Sequence, residues 1–116
     1  LLVLAVNDKE KIIEKLRRYK REDVVITGHA WEAILWRDTT IAEVKENIIN
    51  PVRLAYAIRQ KSSNPNETKY ECFFDYGEMQ CHRYIIVLNH DCTVCTVMNI
   101  RRRWRHIAEK HAKTEV

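Results

Sequence analysis

The 116-residue sequence predicts an α+β fold in which N-terminal helices pack on a four-stranded antiparallel sheet and a basic C-terminal helix closes the chain. Three observations carry this. Apolar residues up to Ile49 recur with a helical period, the period shifts to that of a strand from Val52, and six Lys and Arg side chains crowd the stretch after Ile100.

The elements follow in chain order. Asn7 and Glu10 have the type and spacing of a capping box. Ile12, Ile13, Leu16 and Tyr19 then form one side of a peripheral helix over 7–21, with Lys15, Arg17, Arg18 and Arg21 on the other. Residues 23–26 are a short extended lead-in, and Gly28 stands before a helical pair over 28–50. Trp31, Ile34 and Leu35 make the apolar stripe of its first helix; Ile41, Val44, Ile48 and Ile49 make that of its second. Asp38-Thr39-Thr40 separates the two, and Thr40 with Glu43 restarts the helix as a capping box. Pro51 lacks an amide hydrogen and disfavours helical geometry at Asn50, so the helix stops there. Strands over 52–59, 69–76, 81–88 and 93–100 make the sheet, with a polar, mobile loop over 61–68 and tight turns at Asp75-Tyr76-Gly77-Glu78 and Asn89-His90-Asp91-Cys92. Trp104, Ile107, Ala108 and His111 give the closing helix, over 102–113, an apolar side that leaves its arginines displayed.

Turn length fixes which face each strand residue takes. If Tyr76-Gly77 and His90-Asp91 are two-residue loops, Cys72 lies opposite Cys81, Ile85 opposite Thr96 and Val87 opposite Val94. These residues, with Tyr70, Phe74, Met98 and Ile100, then face the helices, while His82, Tyr84, Asn99 and Arg101 look out from an open side. On the first strand Val52, Leu54, Tyr56 and Ile58 are the core candidates, and Arg53 and Arg59 share the other face.

Composition bounds the function. At 46% hydrophobic and 31% charged residues, the chain reads as one soluble globular domain over 1–116 rather than a disordered or membrane-spanning one. Leu1–Val6 is too short for a signal-peptide core and has no basic residue ahead of it, so the expectation is a cytoplasmic protein with free thiols. A net charge of +4 is mild, but the clustering of Arg101, Arg102, Arg103, Arg105, Lys110 and Lys113 suits a polyanion such as RNA; a solvated basic helix face reads equally well from charge alone.

The run from Ile26 to Pro51 resembles the signature HAxxRxxERGIxxxDV, followed by a helix, an Asn-Pro stop and four strands, of a family of small domains of unknown function. That family is grouped with the RelE, barnase and colicin-type ribonuclease toxins. The resemblance covers roughly residues 25–101 and rests on His29, Ala30, Arg37, Thr40, Glu43, Val44, Asn50 and Pro51. The sequence departs from the signature at Ala33, where the family has its first arginine, at Trp36 in place of Glu and at Asp38-Thr39 in place of Gly-Ile. The resemblance implies a RelE/barnase-like fold, metal-independent endoribonuclease activity without a cofactor, and an antitoxin protein that holds it in check.

Such chemistry needs a base for the ribose 2′-hydroxyl, an acid for the leaving oxygen and cations for the phosphate. His29, Arg37, Tyr84 and Arg101 are the catalytic candidates, and Arg53, Arg59, His82, Arg102, Arg103 and Arg105 the RNA-binding ones. The plainer assignment makes His29 a helix-start residue bound to backbone and Arg37 a partner of Asp38 or Glu43. A non-catalytic RNA-binding or protein-interaction domain on the same scaffold is the alternative function, favoured by Ala33. Cys92 and Cys95 form a C-x-x-C, half of a zinc site, but no second half accompanies it and the two point to opposite faces of a regular strand, so buried thiols and no metal are expected. A Cys72–Cys81 disulfide across the hairpin is disfavoured by the reducing compartment. Trp31 and Trp104 are assigned to the core and Trp36 to the surface.

Overall fold

A computed structural model describes residues 7–64 and 66–112. The signal-peptide reading of Leu1–Val6 and the last residue of the basic tail, Lys113, lie outside them. The elements are α1 (Lys9–Leu16), β1 (Val24–Ile26), α2 (Gly28–Trp36), α3 (Ile41–Ile49), β2 (Leu54–Gln60), β3 (Thr68–Asp75), β4 (Cys81–Leu88), β5 (Cys92–Ile100) and α4 (Arg105–Ala112), with a 3-10 turn at Arg21–Asp23. The sheet is mixed and five-stranded, in the order β1-β5-β4-β3-β2. The lead-in before α2 is thus a strand, paired parallel to β5 through Val24–Cys92 and Ile26–Val94. Only three residues long, it is too short for a period of two to be read.

The caps behave as their chemistry requires. Thr27 accepts a hydrogen bond from the Ala30 amide and Thr40 from the Glu43 amide, both at 3.1 Å, so each hydroxyl satisfies an amide with no helical partner. Glu43 does not return to Thr40; its carboxylate turns to Thr39 and Tyr76. At α1 the Asn7 side chain accepts from the Lys9 amide at 3.2 Å and also reaches sideways: it donates to the Ala55 carbonyl and accepts from the Ala57 amide, while the Asp8 amide donates to the Ala57 carbonyl. These bonds occupy the outer edge of β2, a row of backbone groups that would otherwise invite another strand. With Ile12 and Leu16 wholly buried, α1 is part of the core layer rather than peripheral.

Both faces of the sheet are covered. On one, α1, α2 and α3 pack through Ile12, Leu16, Ala30, Ile34, Val44 and Ile48 onto Leu54, Ala57, Tyr70, Cys72, Phe74, Tyr84, Ile86, Val94 and Val97. On the other, α4 packs through Trp104 and Ala108 onto Ile58, Phe73 and Cys81, with Trp104 stacked on Phe73 at 6.2 Å. The division follows from the β3–β4 register, Cys72–Tyr84 and Phe74–His82, which is three residues away from a two-residue loop. Residues 76–80 form the connection: the Asp75 carboxylate accepts from the Gly77 amide, Gly77 takes a φ of +127° that suits glycine, and the Tyr76 amide closes on the Gln80 carbonyl.

An odd shift exchanges faces. His82 and Tyr84 therefore lie under the helices, not on an open side, and Cys81, Ile85, Met98 and Ile100 face α4. Cys72 and Cys81 face away from each other, and all four cysteines are free. Between β4 and β5 the expected Ile85–Thr96 pair is present, but a bulge beside it moves Val87 onto Thr93. A second irregularity between Leu54 and Tyr56 places Leu54 and Ala57 in the main core and Tyr56 and Ile58 under α4, and leaves Val52 exposed.

α4 is held by a buried carboxylate. Glu71, 1% exposed, accepts from Arg83 at 2.5 Å and from His111 Nδ1 at 2.8 Å, so its charge is compensated from both layers. Replacing Glu71 with alanine removes the common partner of both; the expected loss is about 3 kcal/mol of unfolding free energy in urea titration, and a loss under ~1 kcal/mol would contradict the assignment.

Candidate nucleic-acid interface

The candidate residues divide into a buried group and an exposed one. Glu43 accepts from the Tyr76 hydroxyl at 2.9 Å; Asn47 donates through its amide nitrogen to the hydroxyls of Tyr76 and Tyr84, both at 2.9 Å; and the Tyr84 hydroxyl lies 2.8 Å from His82 Nδ1. The donors fix the direction of the chain. Each tyrosine accepts one amide hydrogen from Asn47 and passes its own onward, Tyr76 to Glu43 and Tyr84 to His82, which requires a neutral imidazole accepting at Nδ1. No buried side-chain nitrogen or oxygen among the described residues lacks a partner.

Environment acts in the same direction. Burial pushes the Tyr84 hydroxyl well above its ordinary range and lowers the His82 imidazole from 6.5, against the pull of Glu43 and with the help of Arg53 and Arg101. For Glu43 burial works upward, but the hydrogen bonds from Thr39 and Tyr76 outweigh it and the carboxyl is lowered. Stacked on Tyr76 at 4.2 Å and 2% exposed, His82 is a structural group here, as is Tyr84. Arg53 lies over the other ring of that stack, 4.3 Å from the Tyr76 centroid, and donates to the Asp75 carbonyl.

The exposed group borders one end of the sheet. Leaving β5, the chain crosses the 76–80 connection, anchored where Trp104 Nε1 donates to the Gly77 carbonyl at 2.8 Å. Along this crossing Arg101 pairs with Asp38, Arg103 lies 3.8 Å from Glu78, and Arg105 pairs with Asp75, while Arg102 stands exposed among them. Asn99 donates to the Arg37 carbonyl and accepts from Gln80, which ties the end of α2 to the same edge. Six arginines, Arg37, Arg53, Arg101, Arg102, Arg103 and Arg105, thus form a ridge at this end of the sheet, and three of them pair with carboxylates. Arg59 is not among them: it lies toward the other end of β2, over Tyr70.

His29 and Arg37 share the outer side of α2, where with Glu32, Ala33 and Trp36 they line an open groove of about 400 Å³. Eight residues separate the two, about 12 Å along the helix axis. Arg37 belongs to the ridge and His29 stands beyond it. Tyr84 is enclosed, so the four catalytic candidates do not meet around one point.

Trp36 is 82% exposed, as expected, but Trp31 at 51% and Leu35 at 71% are surface residues as well. α2 contacts β5, and only Ala30 and Ile34 of its residues are buried, fewer than its apolar sequence suggests. Cys92 is buried with its thiol pushed up to about 12 by burial, and Cys95 is half-buried beside the bulge; no three His, Cys, Asp or Glu side chains among the described residues are grouped as a metal ion would require. No helix among the described residues is long and apolar enough to cross a membrane.

Comparison with family models, curated proteins and solved structures returns no match, so the resemblance to the toxin-related family rests on the residues quoted for it.

The His82 wiring has a measurable consequence. Its folded-state pKa lies below its ordinary 6.5, so between those two values the unfolded chain binds the extra proton. The His82 contribution to stability is therefore level above about pH 7 and falls as pH drops below ~6.5, by at most ~1.4 kcal/mol per pH unit, until the folded-state pKa is passed. Urea midpoints between pH 8 and pH 5 read this slope. Phenylalanine at position 82 removes it; a wild-type midpoint that stays level to pH 5 speaks against a buried neutral imidazole.

Proposed function

We propose that this chain is a non-catalytic RNA-binding domain whose arginine ridge follows a phosphodiester backbone. The observation that carries the reading is the alignment of Arg37, Arg101, Arg102 and Arg103, all exposed, along one end of the sheet. Guanidinium groups match phosphate oxygens bidentately, and exposed ion pairs such as Arg101–Asp38 and Arg103–Glu78 contribute so little that a phosphate can replace the carboxylate at small cost.

Cleavage is the less supported use of the surface. Proton transfer needs an acid or base within hydrogen-bond reach of the reacting oxygens. Tyr84 and His82 are committed to each other beneath α3, and His29 stands at the far end of α2 from Arg37.

The test is binding of a labelled single-stranded RNA over a series of salt concentrations, with a parallel incubation in EDTA. Affinity is expected to fall with salt, the RNA to remain intact, and Arg102→Ala or Arg103→Ala each to reduce the logarithmic salt slope by ~0.7, the share of one phosphate contact on a single strand. Absence of salt-dependent binding would overturn the reading. Cleavage abolished by His29→Ala would replace it with the nuclease one.

A further inference from the structure

We infer that the groove on the outer side of α2 is a slot for one unpaired nucleobase of the bound RNA, with guanine the base it selects. The inference rests on the RNA-binding reading and adds to it a place where sequence is read.

Trp36 and His29 are seven residues apart, two helical turns or about 10.5 Å along the axis, and Ala33 lies between them on the same side. An aromatic ring therefore stands at each end of a stretch whose floor is a methyl group, and the space above it is about 400 Å³. The Trp36 indole is 82% exposed and so open to stacking, and a base offers a flat π-face that stacks on it whatever the sequence. The position suits RNA as well, because Arg37 lines the slot at its ridge end and Arg101 begins the ridge beside it, next to Asp38.

The polar groups decide between a base and an apolar protein surface. Neither Glu32 nor His29 has a hydrogen bond or ion pair with another described residue. An apolar partner laid over the slot would strip water from the Glu32 carboxylate and return nothing, a costly burial. Guanine returns two adjacent N–H donors, N1–H and N2–H, to a group that only accepts. Adenine, cytosine and uracil each lack that adjacent pair. Trp31 and Leu35 lie on the other flank of α2 and take no part in the slot.

The test compares a labelled oligouridine carrying one central guanosine with the same strand carrying inosine or uridine there, by fluorescence anisotropy at fixed salt. The guanosine strand is expected to bind about tenfold more tightly than the uridine one, with inosine between them. Trp36→Ala and Ala33→Leu, which remove the platform and fill the floor, are expected to abolish that preference, and Glu32→Gln to reduce it, while all three retain the salt slope and the urea midpoint. Arg102→Ala should instead weaken all strands alike. Retained guanosine preference in Trp36→Ala, or no preference in the wild type, overturns the slot while leaving the ridge standing; loss of salt-dependent binding to every strand removes the ridge itself. A Trp36→Ala protein with unchanged RNA affinity but altered sedimentation assigns the exposed indole to contact between copies of the chain and likewise overturns the slot.

Discussion

The pairing of β3 with β4 is the constraint on which the rest of the molecule depends. With Phe74 opposite His82 and Cys72 opposite Tyr84, the rings of Tyr70, Phe74 and Tyr84 lie on the side that α1 to α3 cover. The alternate residues Glu71, Phe73, Cys81 and Arg83 are left to face α4. A slip by one residue would exchange the two sets, placing the Glu71 charge beneath three apolar helices and bringing Tyr84 out from its amide partner. What holds the register is local: the Asp75 side chain on the Gly77 amide, the positive φ of Gly77 and the return of the chain at Gln80. The same connection receives Trp104, so the device that sets the two faces also anchors the helix that closes the second one.

Each layer is tied to the sheet by a polar group that apolar packing would not place. For α3 it is Asn47, whose two amide hydrogens reach Tyr76 and Tyr84; for α4 it is Glu71, which holds Arg83 and His111. Apolar contacts tolerate a small rotation or slide of a helix, whereas these groups are satisfied in one arrangement. Buried polar groups are not evidence of net stabilisation, since desolvation offsets much of what they return. Their effect is on position: α3 is fixed to Tyr84 of β4 and to Tyr76 of the β3–β4 connection, with the α2–α3 turn beside Arg101.

Much of this was legible from residue types, and the remainder was not for identifiable reasons. Thr40 before Ile41 and Asn50-Pro51 after Ile49 bracketed α3 because caps and proline act through their immediate neighbours. The Ile85–Thr96 pairing was legible because a two-residue loop and a three-residue loop followed by a bulge give the same register further along. The β3–β4 offset was hidden: Tyr76-Gly77 has turn chemistry, yet the turn uses Gly77 within a longer loop, and the three-residue error placed His82 and Tyr84 outside. In α2 every position except His29 and Glu32 is apolar or glycine, so periodicity could not single out the docking side, and Trp31 was misplaced. At the candidate interface Arg37, Arg101, Arg102 and Arg103 were legible as exposed cations, but their alignment was not, because it depends on the crossing of residues 101–105 over a loop whose length Tyr76-Gly77 does not reveal.

That crossing also explains why carboxylates beside the ridge need not oppose a polyanion. Asp38 lies in the α2–α3 turn and Asp75 and Glu78 in the β3–β4 connection, so Arg101 is drawn toward one segment and Arg103 and Arg105 toward the other rather than all onto one acidic cluster. Held this way, the guanidinium groups lose less side-chain freedom when a phosphate takes over from a carboxylate. The exchange is close to even for each pair, since a charge-assisted bond to one anion replaces a similar bond to another. The net gain then comes from counterions released by the nucleic acid and from arginines, such as Arg102, that are not part of these pairs. Proton-transfer catalysis asks more of a surface than this, because it needs a titratable group aimed at the phosphate as well as charge around it. His82 does not supply one: it is buried beneath α3, hydrogen-bonded to Tyr84, and burial lowers its pKa.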